Sequence, residues 1–589
     1  MIKLLKYLRK RDIFAIIFIV GLIVGNVWLE LEIFELMKPI TNLIITNING
    51  ENTLNEILKY GGLMIACAVG SMVGAIVVNF FVSRLASRFG ARLRDEIFKK
   101  VSNFSSAEIK HYSTASLITR TTNDITQVQN TLSMGIRMLV RAPVMAVMAL
   151  CKIVATRKEW TYATLGAVLF IFIMLGIIVA VALPKFKKIQ KLTDDLNRVT
   201  REGLTGTRVV RAFNAEDYQE NKFNTVNNTI TKNNLFVNKA MSLLDPTLNF
   251  VMSALPLAIY VIGAYLIYNT TLPMDKATLF TNMNVFSGYA INVVMSFVML
   301  IAIFIMLPRA IVSANRINEV LDTKNSITDG KGTDEPIKVG EVQFVNVGFK
   351  YPDAEEYVLH DVNFKAEKGQ VVAFIGSTGS GKSTLINLVP RLYDATEGQV
   401  IVDGVNVKDY TIEQLNNKIG YIAQKATLFS GTVRSNITLG EKDGKKPTDE
   451  DIKRALDISQ SSFVYNLDGE IDAEIDQGGK NVSGGQKQRL SIARALARNP
   501  EILIFDDSFS ALDYKTDKEL RHALKEKSAG TTCLIVAQRI GTIMDADKIL
   551  VLDSGRVVGE GTHKELMENC EVYKEIALSQ LSKEELENA

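Results

Sequence analysis

The residues best suited to chemistry in this sequence form one short glycine-rich segment. Its members are Gly376, Ser377, Thr378, Gly379, Ser380, Gly381, Lys382, Ser383 and Thr384. An apolar, strand-like run precedes the segment and a helix-like run follows it, which is the setting that the pattern G-x-x-x-x-G-K-[ST] requires. Glycines let backbone N–H groups turn toward phosphate oxygens, and a helix N-terminus attracts the same charge. We therefore expect Lys382 to reach the β- and γ-phosphates of ATP, and Ser383 to bind Mg²⁺.

A second apolar run, Ile502 to Phe505, ends in the carboxylate of Asp506. A carboxylate at the end of a strand beside a phosphate loop suits Mg²⁺ coordination through water. Many strands end in aspartate, so Asp506 indicates a Mg²⁺ site only in combination with the glycine-rich segment. The pair predicts a site for ATP and Mg²⁺.

The elements that position these residues follow a change in composition. Residues 323–336 are polar and contain two glycines, which indicates a linker, and residues 337–589 then alternate strand-like with helix-like runs. This alternation predicts an α/β domain built on a mainly parallel sheet. The strands are predicted at Val342–Tyr351, Gln370–Ile375, Gly398–Val402, Ile502–Phe505, Thr532–Ala537 and Ile549–Asp553, and a helix at Thr384–Leu388.

Residues 1–322 are predicted to form an all-α transmembrane domain of six helices. Apolar residues make up 47% of the chain and charged residues 22%, as expected for an apolar half joined to a soluble half. The net charge of only +3 gives no support for nucleic acid as a partner. A bilayer needs about 20 apolar helical residues per span. The candidates are Ile13–Leu36, Ile57–Val82, Met138–Thr156, Thr161–Pro184, Thr247–Tyr268 and Ala277–Leu307.

The long connections between these spans are basic and helix-like. Residues 84–135 hold eight Lys/Arg against four Asp/Glu, and residues 185–244 hold eleven against six. By the positive-inside tendency, both connections and the basic N-terminus lie in the cytoplasm. We expect membrane helices that continue into the cytoplasm and whose tips, near Ser105–Thr114 and Ala212–Glu220, contact another part of the protein. The alternative is a pair of solvated hairpins.

Between the two nucleotide motifs, Val482-Ser483-Gly484-Gly485-Gln486 closely resembles the signature motif of ATP-binding cassette (ABC) proteins. Further elements of this family occur in order: Tyr351 at the position of the adenine-stacking aromatic, Gln424 at that of the lid glutamine, and Ser510–Asp513 at that of the D-loop. With six spans placed first, the whole chain resembles a half-transporter of the type IV exporter class. Such a protein is a multi-pass protein of the cell membrane, in bacteria the inner or plasma membrane, with its cassette in the cytoplasm.

The resemblance implies that two cassettes pair head to tail around ATP. Each nucleotide is then held between the phosphate loop of one chain and the signature of the other. Tyr351 would stack on adenine, and Gln424 would sense Mg²⁺ and the attacking water. The residues that would bind the γ-phosphate of the partner's nucleotide are Ser483, Gly484, Gly485 and Gln486.

Two positions depart from the family pattern. The residue after Asp506 is usually a glutamate that polarises the attacking water, and here it is Asp507. The switch position usually carries histidine, and here it carries Gln538. Glutamine has no cation and cannot shuttle a proton. These changes predict a site that binds ATP and hydrolyses it poorly, in a heterodimer whose non-identical partner supplies the glutamate and the histidine.

The sequence gives fewer indications of how ATP binding is coupled to transport and of which compound is transported. Phe213, within Ala212–Tyr218, resembles a loop tip that reaches across to the partner, although ordinary helix packing is an equal alternative. Arg141 and Lys152 are candidates to face a cargo cavity, whereas snorkelling or pairing is the preferred interpretation for Glu30 and Glu32. The leading function is ATP-driven export of amphipathic compounds such as drugs, lipids or peptides. An ATP-gated channel or regulatory subunit, and an importer with an exporter fold, remain open.

Overall fold

The computed structural model describes residues 2–46, 53–155, 158–333, 339–352, 354–442, 444–527 and 530–581. The chain forms two compact units. The first comprises Met1–Lys100 and Ile118–Asp322, and the second comprises Val101–Leu117 and Thr323–Ala589. Because the second unit includes residues 101–117, a short segment of the N-terminal half belongs to the same unit as the C-terminal half. Residues 334–336 of the predicted linker lie outside the described residues.

The described residues of the N-terminal half are mostly helical, with short turns between the helices. A short 3-10 helix, Ile2–Tyr7, precedes ten α-helices. These are α1 Lys10–Thr46, α2 Thr53–Ser102, α3 Ser106–Tyr112, α4 Thr114–Thr119, α5 Ile125–Val154, α6 Lys158–Thr205, α7 Thr207–Ala212, α8 Glu216–Met241, α9 Leu244–Tyr268 and α10 Pro273–Asp322. A π-helical turn, Arg120–Asp124, joins α4 to α5.

Six helical stretches among the described residues are long and apolar enough to cross a bilayer. They contain the six predicted spans, except that the third stretch ends at Val154, before Ala155 and before Thr156, which lies outside the described residues. The predicted fold class, six apolar helices followed by an α/β cassette, is confirmed. With 48 residues, α6 is about 72 Å long at 1.5 Å per residue, more than twice the roughly 30 Å of hydrocarbon. A helix of this length is longer than a single crossing requires, and the cytoplasmic extension of the membrane helices stays a prediction.

Arg141 and Lys152, two of the charged residues predicted inside the spans, form ion pairs from α5 to α1. Arg141 Nη2 donates to Glu30 Oε1 at 2.8 Å, and Lys152 Nζ donates to Glu35 Oε1 at 3.1 Å. An isolated charge is costly in hydrocarbon, so pairing lets these helices carry polar groups within the apolar unit. The pairing proposed for Glu30 is thus observed, with Arg141 as its partner.

The described residues of the C-terminal half form three sheets and nine helices of the α type. The six-stranded sheet has the order β12-β11-β3-β10-β9-β6, a four-stranded sheet the order β2-β1-β4-β5, and β7 pairs with β8. The strands are β1 Val342–Phe349, β2 Leu359–Ala366, β3 Val371–Gly376, β4 Glu397–Val402, β5 Val405–Asn406, β6 Ile419–Ile422, β7 Gly431–Thr432, β8 Glu474–Ile475, β9 Ile502–Asp506, β10 Thr532–Val536, β11 Lys548–Asp553 and β12 Arg556–Gly561. The helices are α11 Lys382–Asn387, α12 Ile412–Lys418, α13 Val433–Ile437, α14 Asp449–Ile458, α15 Gly484–Ala497, α16 Tyr514–Lys527, α17 Ile540–Ile543, α18 His563–Asn569 and α19 Glu571–Gln580.

The six-stranded sheet is parallel except for β12, in agreement with the prediction of a mainly parallel layer. The antiparallel four-stranded sheet was not predicted. Its strand β2 was missed because exposed residues interrupt the apolar ones along Leu359–Ala366, so that no continuous apolar run marks it.

The parallel register brings the ends of three strands to one edge of the sheet. Val536 on β10 lies opposite Phe374 on β3 and opposite Asp506 on β9. The glycine-rich segment follows β3, and Asp507 follows β9, so both emerge at this edge. Open α/β sheets bind their ligands at the carboxyl ends of their strands.

Helix α3 lies in the second unit, where its contacts fix its place. Ser105 caps the helix in a capping box with Glu108. Glu108 Oε1 also accepts a hydrogen bond from the backbone N–H of Ser326 at 3.0 Å, and the hydroxyls of Tyr112 and Thr323 lie 2.6 Å apart. Ala107 packs against the apolar core of the cassette. The first predicted tip therefore contacts the cassette of its own chain.

Candidate functional site

The glycine-rich loop has a backbone that requires glycine at several positions. Gly376, Gly379 and Gly381 have φ angles of +155°, +88° and +93°, which side-chain-bearing residues rarely adopt. A Cβ atom at Gly376 would lie 2.0 Å from the carbonyl oxygen of Leu552, and one at Gly381 would lie 2.8 Å from Leu359 Cδ2. Both the backbone conformation and the packing therefore require glycine in this loop between β3 and α11.

The ammonium group of Lys382 lies inside this loop. Its Nζ donates to the carbonyl oxygens of Gly376 at 2.9 Å and Ser377 at 2.7 Å, and to Ser380 Oγ at 3.2 Å. Burial lowers the pKa of Lys382, and the negative charge of Asp507 partly opposes this shift. Phosphate oxygens in the loop would offer the ammonium charged acceptors, so its position suits the predicted contact with ATP.

The two residues predicted to bind Mg²⁺ on the loop and on β9 are in direct contact. Ser383 Oγ donates to Asp506 Oδ1 at 2.6 Å, and the hydroxyl of Tyr421 donates to Asp506 Oδ2 at 3.4 Å. Burial raises the pKa of Asp506, and these two hydrogen bonds oppose the rise. A divalent cation would favour the ionised carboxylate, and hydroxyl and carboxylate oxygens are ligands that Mg²⁺ prefers. Sequence reasoning missed Tyr421, although it precedes Gln424 by only three residues.

The three predicted catalytic residues meet at one oxygen atom. Gln538 Nε2 donates to Asp507 Oδ2 at 2.7 Å, and Gln424 Nε2 donates to the same atom at 3.1 Å. Asp507 is 5% exposed, and its backbone N–H donates to the carbonyl oxygen of Val536 at 3.0 Å. Its φ of +48° is unusual for a residue other than glycine. The carboxylate is thus held at the sheet edge by its backbone and by two amide groups.

Tyr351 lies just beyond the end of β1 and beside the loop. Its hydroxyl is 2.9 Å from Thr384 Oγ1. Its ring meets the rings of Phe349 and Tyr393 edge to face, with centroids 5.0 and 5.3 Å apart. The aromatic predicted to stack on adenine is therefore fixed next to the residues predicted to hold phosphate.

The signature residues form a separate site at the surface. Ser483 caps α15, because its Oγ accepts the backbone N–H of Gln486 at 3.3 Å while Gln486 Oε1 accepts the N–H of Ser483 at 2.8 Å. Ser483 and Gly484 are exposed, and Gly485 is half-buried. Within the described residues, no hydrogen bond or ion pair joins Ser483–Gln486 to Gly376–Thr384. The predicted site thus consists of two separate parts within one chain, and the signature part has an exposed helix N-terminus suited to an anion.

The groups present fit a nucleoside triphosphate with Mg²⁺. The glycine-lined loop leaves room for phosphates, Lys382 supplies a cation inside it, and the Ser383–Asp506 pair supplies oxygen ligands. A bound Mg²⁺ would offset the negative charge of the phosphates. A phosphate loop after β3 with a carboxylate on β9 defines a P-loop nucleotide-binding domain, and six membrane-length helices on the same chain define a membrane transporter of the ATP-binding class.

The comparisons identify the family. The chain belongs to the ABC transporters: a family description "ABC transporter transmembrane region" matches residues 16–290, and "ABC transporter" matches residues 359–510. An uncharacterized ABC transporter ATP-binding protein of Mycobacterium tuberculosis (strain CDC 1551) is 34% identical over 560 residues, which cover 93% of this chain and 95% of the relative. These matches confirm the predicted family.

Two further similarities concern named transporters. An ATP-dependent lipid A-core flippase of Pseudomonas aeruginosa is 32% identical over 510 residues, covering 86% of this chain and 82% of the flippase. The structure of a bacterial Atm1-family ABC exporter with ATP bound superposes with a TM-score of 0.77 at 22% identity, covering 98% of this chain and all of that one. The fold is therefore that of an ABC exporter. The predicted role as a weakly hydrolytic subunit of a heterodimer stays a prediction.

Proposed function

We propose that this chain is one subunit of a heterodimeric ABC exporter in the cell membrane, and that it binds ATP but hydrolyses it poorly at its own phosphate loop. The cassette lies in the cytoplasm. Tyr351 and the loop Gly376–Thr384 hold the nucleotide, and Ser383, Asp506 and Gln424 hold Mg²⁺. The other half of each ATP site comes from the facing subunit.

The observation that carries this proposal is the environment of the Asp507 carboxylate. A residue that polarises the attacking water needs a lone pair directed at that water. Oδ2 of Asp507 accepts hydrogen bonds from the side-chain amides of both Gln424 and Gln538, which orient the carboxylate and compete with water for this oxygen. Aspartate is also one methylene shorter than glutamate, which retracts the carboxylate by about 1.5 Å. Weak hydrolysis follows from both features together.

The signature supports a partner of different sequence. Ser483 caps α15 with a complete capping box, and the exposed Gly484 leaves the helix N-terminus open to an incoming phosphate. This chain thus retains the signature residues that would complete the ATP site of the facing subunit, whereas its own ATP site lacks the usual glutamate and histidine. We infer that the partner carries that glutamate and that histidine, together with an imperfect signature.

The proposed cargo is amphipathic: a lipid, a drug or a peptide. One relative is named as a lipid A-core flippase, which favours cargo with a polar head and an apolar body. The Glu30–Arg141 pair would offer polar contacts within predominantly apolar helices. Export follows if ATP binds the closed cassettes better than the open ones, since a ligand shifts a conformational equilibrium only through such a difference.

The second cytoplasmic tip is proposed to engage the partner. Phe213 follows α7 and is 78% exposed, and Tyr218 on α8 is 70% exposed. Large apolar side chains at a helical tip are candidates for burial against another protein surface. We assign Phe213 to a groove on the facing cassette.

ATP turnover of the purified chain tests the proposed function. In detergent or lipid, the chain alone is expected to bind ATP with little hydrolysis, and Asp507→Ala is expected to change the residual rate by less than about twofold, since Asp507 contributes little to water activation. Lys382→Ala is the control for nucleotide binding. Robust turnover that Asp507→Ala abolishes would falsify the proposal.

A further inference from the structure

We propose that Gln580, in the last turn of α19, is a positioning residue for the phosphate end of the nucleotide. Its carboxamide holds the backbone on both sides of Arg539, and this backbone in turn places the side chain of Gln538 beside Asp507. The inference rests on the proposed function, because it assumes that ATP occupies the loop Gly376–Thr384. It connects the nucleotide site with a helix that lies 42 residues further along the chain.

The contact consists of two hydrogen bonds made by one side chain. Gln580 Nε2 donates to the carbonyl oxygen of Gln538 at 2.8 Å, and Gln580 Oε1 accepts the backbone N–H of Ile540 at 2.9 Å. Arg539, between these two residues, has an extended backbone with φ −101° and ψ +127°. The carbonyl before it and the N–H after it therefore point to the same side, where a carboxamide offers both a donor and an acceptor.

Gln580 satisfies a backbone group that α17 cannot satisfy within itself. Ile540 begins this helix of four residues, and the first N–H groups of a helix have no partner inside it. Within the described residues, the side chain of Arg539, which precedes α17, makes no capping hydrogen bond. Without Gln580 the N–H of Ile540 would lose its acceptor, and Arg539 could adopt other backbone angles. Such a change would redirect the side chain of Gln538.

Helix α19 supports this side chain firmly. Tyr573 and Ala577 of α19 are fully buried in the apolar core of the cassette, and the hydroxyl of Tyr573 lies 2.7 Å from His563 Nδ1. Gln580 follows Ala577 by nearly one turn and is itself exposed. The packing of α19 therefore fixes where the carboxamide lies, and a substitution at position 580 leaves that packing intact.

The position of Gln538 matters because its side chain reaches the phosphate end of the site. Gln538 Nε2 donates to Asp507 Oδ2 at 2.7 Å, and the negative charge of Asp507 acts on Lys382 inside the loop. A γ-phosphate held by Lys382 would come close to this pair, where the amide of Gln538 can donate to a phosphate oxygen. Because ADP lacks that phosphate, Gln580 should affect the binding of ATP and not that of ADP.

Binding of ATP and of ADP, each with Mg²⁺, to the full-length chain in detergent tests the inference. Gln580→Met removes both hydrogen bonds. It is expected to weaken ATP binding about five- to tenfold, because the donor of a hydrogen bond to a charged phosphate is misplaced, and to leave ADP binding unchanged.

A second variant and its control separate the hydrogen bonds from packing and charge. Gln580→Glu keeps the size of the side chain and exchanges only the N–H donor for an acceptor, so it should weaken ATP binding as well. Ser579→Glu adds the same charge at the neighbouring exposed position and should match the wild type. Hydrogen exchange at the Ile540 amide should be faster in Gln580→Met than in the wild type, since this N–H has lost its acceptor.

The outcomes separate this inference from the proposed function. An ATP affinity that both Gln580 variants leave unchanged, or a loss of ATP and ADP affinity by the same factor, overturns the positioning role. Unchanged exchange at Ile540 in Gln580→Met overturns the contact itself. A wild-type chain that binds neither nucleotide instead contradicts the proposed function, since the phosphate loop has then failed.

Discussion

The double substitution Asp507→Glu with Gln538→His is expected to raise ATP turnover of the purified chain about 100-fold. Glutamate moves the carboxylate forward by one methylene, and a displacement near 1 Å in an active site corresponds to roughly 100-fold in rate. Histidine restores a side chain that carries a cation and exchanges a proton near neutral pH. Because the chain's own signature is intact, two copies can complete the restored sites. Steady-state phosphate release measures the change.

Two controls define what this result means. Each single substitution is expected to give a smaller gain, since Asp507 Oδ2 accepts hydrogen bonds from both amides and changing one residue leaves the other defect. Adding Lys382→Ala to the double variant should return turnover to background. A double variant that hydrolyses ATP no faster than the wild type would mean that these two positions do not limit the site.

The second large effect is expected at the signature. Gly484→Asp in the complex with the partner should lower ATP turnover on the order of 100-fold, because it places a carboxylate where the partner's γ-phosphate must approach, and loss of a single stabilising donor at such sites costs about as much. A Cβ at Gly484 meets no atom within 4 Å. An acidic residue also suits the first turn of a helix, so α15 should remain folded.

The matched control for this prediction is Gly484→Ala, which adds a methyl group without charge and should retain most of the activity. ATP binding at this chain's own loop, measured with a fluorescent nucleotide, should be the same in both variants. Full turnover in the complex carrying Gly484→Asp would show that the signature of this chain does not contact a nucleotide.

Much of the nucleotide site was predictable because local patterns encode it. The loop Gly376–Thr384 needs glycines at positive φ, and its flanking strand and helix are adjacent in sequence, so one segment specifies both the backbone and its chemistry. The six spans were equally predictable, because an apolar run of about 20 residues is typical of a membrane-spanning helix. These features depend on neighbours along the chain.

What could not be predicted depends on register and on contacts between distant segments. The meeting of Gln424 and Gln538 at one oxygen of Asp507 requires the parallel register of β6, β9 and β10. The hydrogen bond from Tyr421 to Asp506 has the same origin. Glu108 lies on a helix of the N-terminal half, and no pattern in the sequence connects it with the backbone N–H of Ser326, which donates to it.

Site-resolved trapping of nucleotide in the assembled complex tests the central claim most directly. With labelled photoreactive ATP and vanadate, which arrests a site after hydrolysis, each chain can be separated and its label counted. We predict that trapped nucleotide is found on the partner and is nearly absent from this chain, although this chain still binds ATP without vanadate. Equal trapping on both chains, or trapping mainly at Lys382 of this chain, would contradict the assignment of a weakly hydrolytic site.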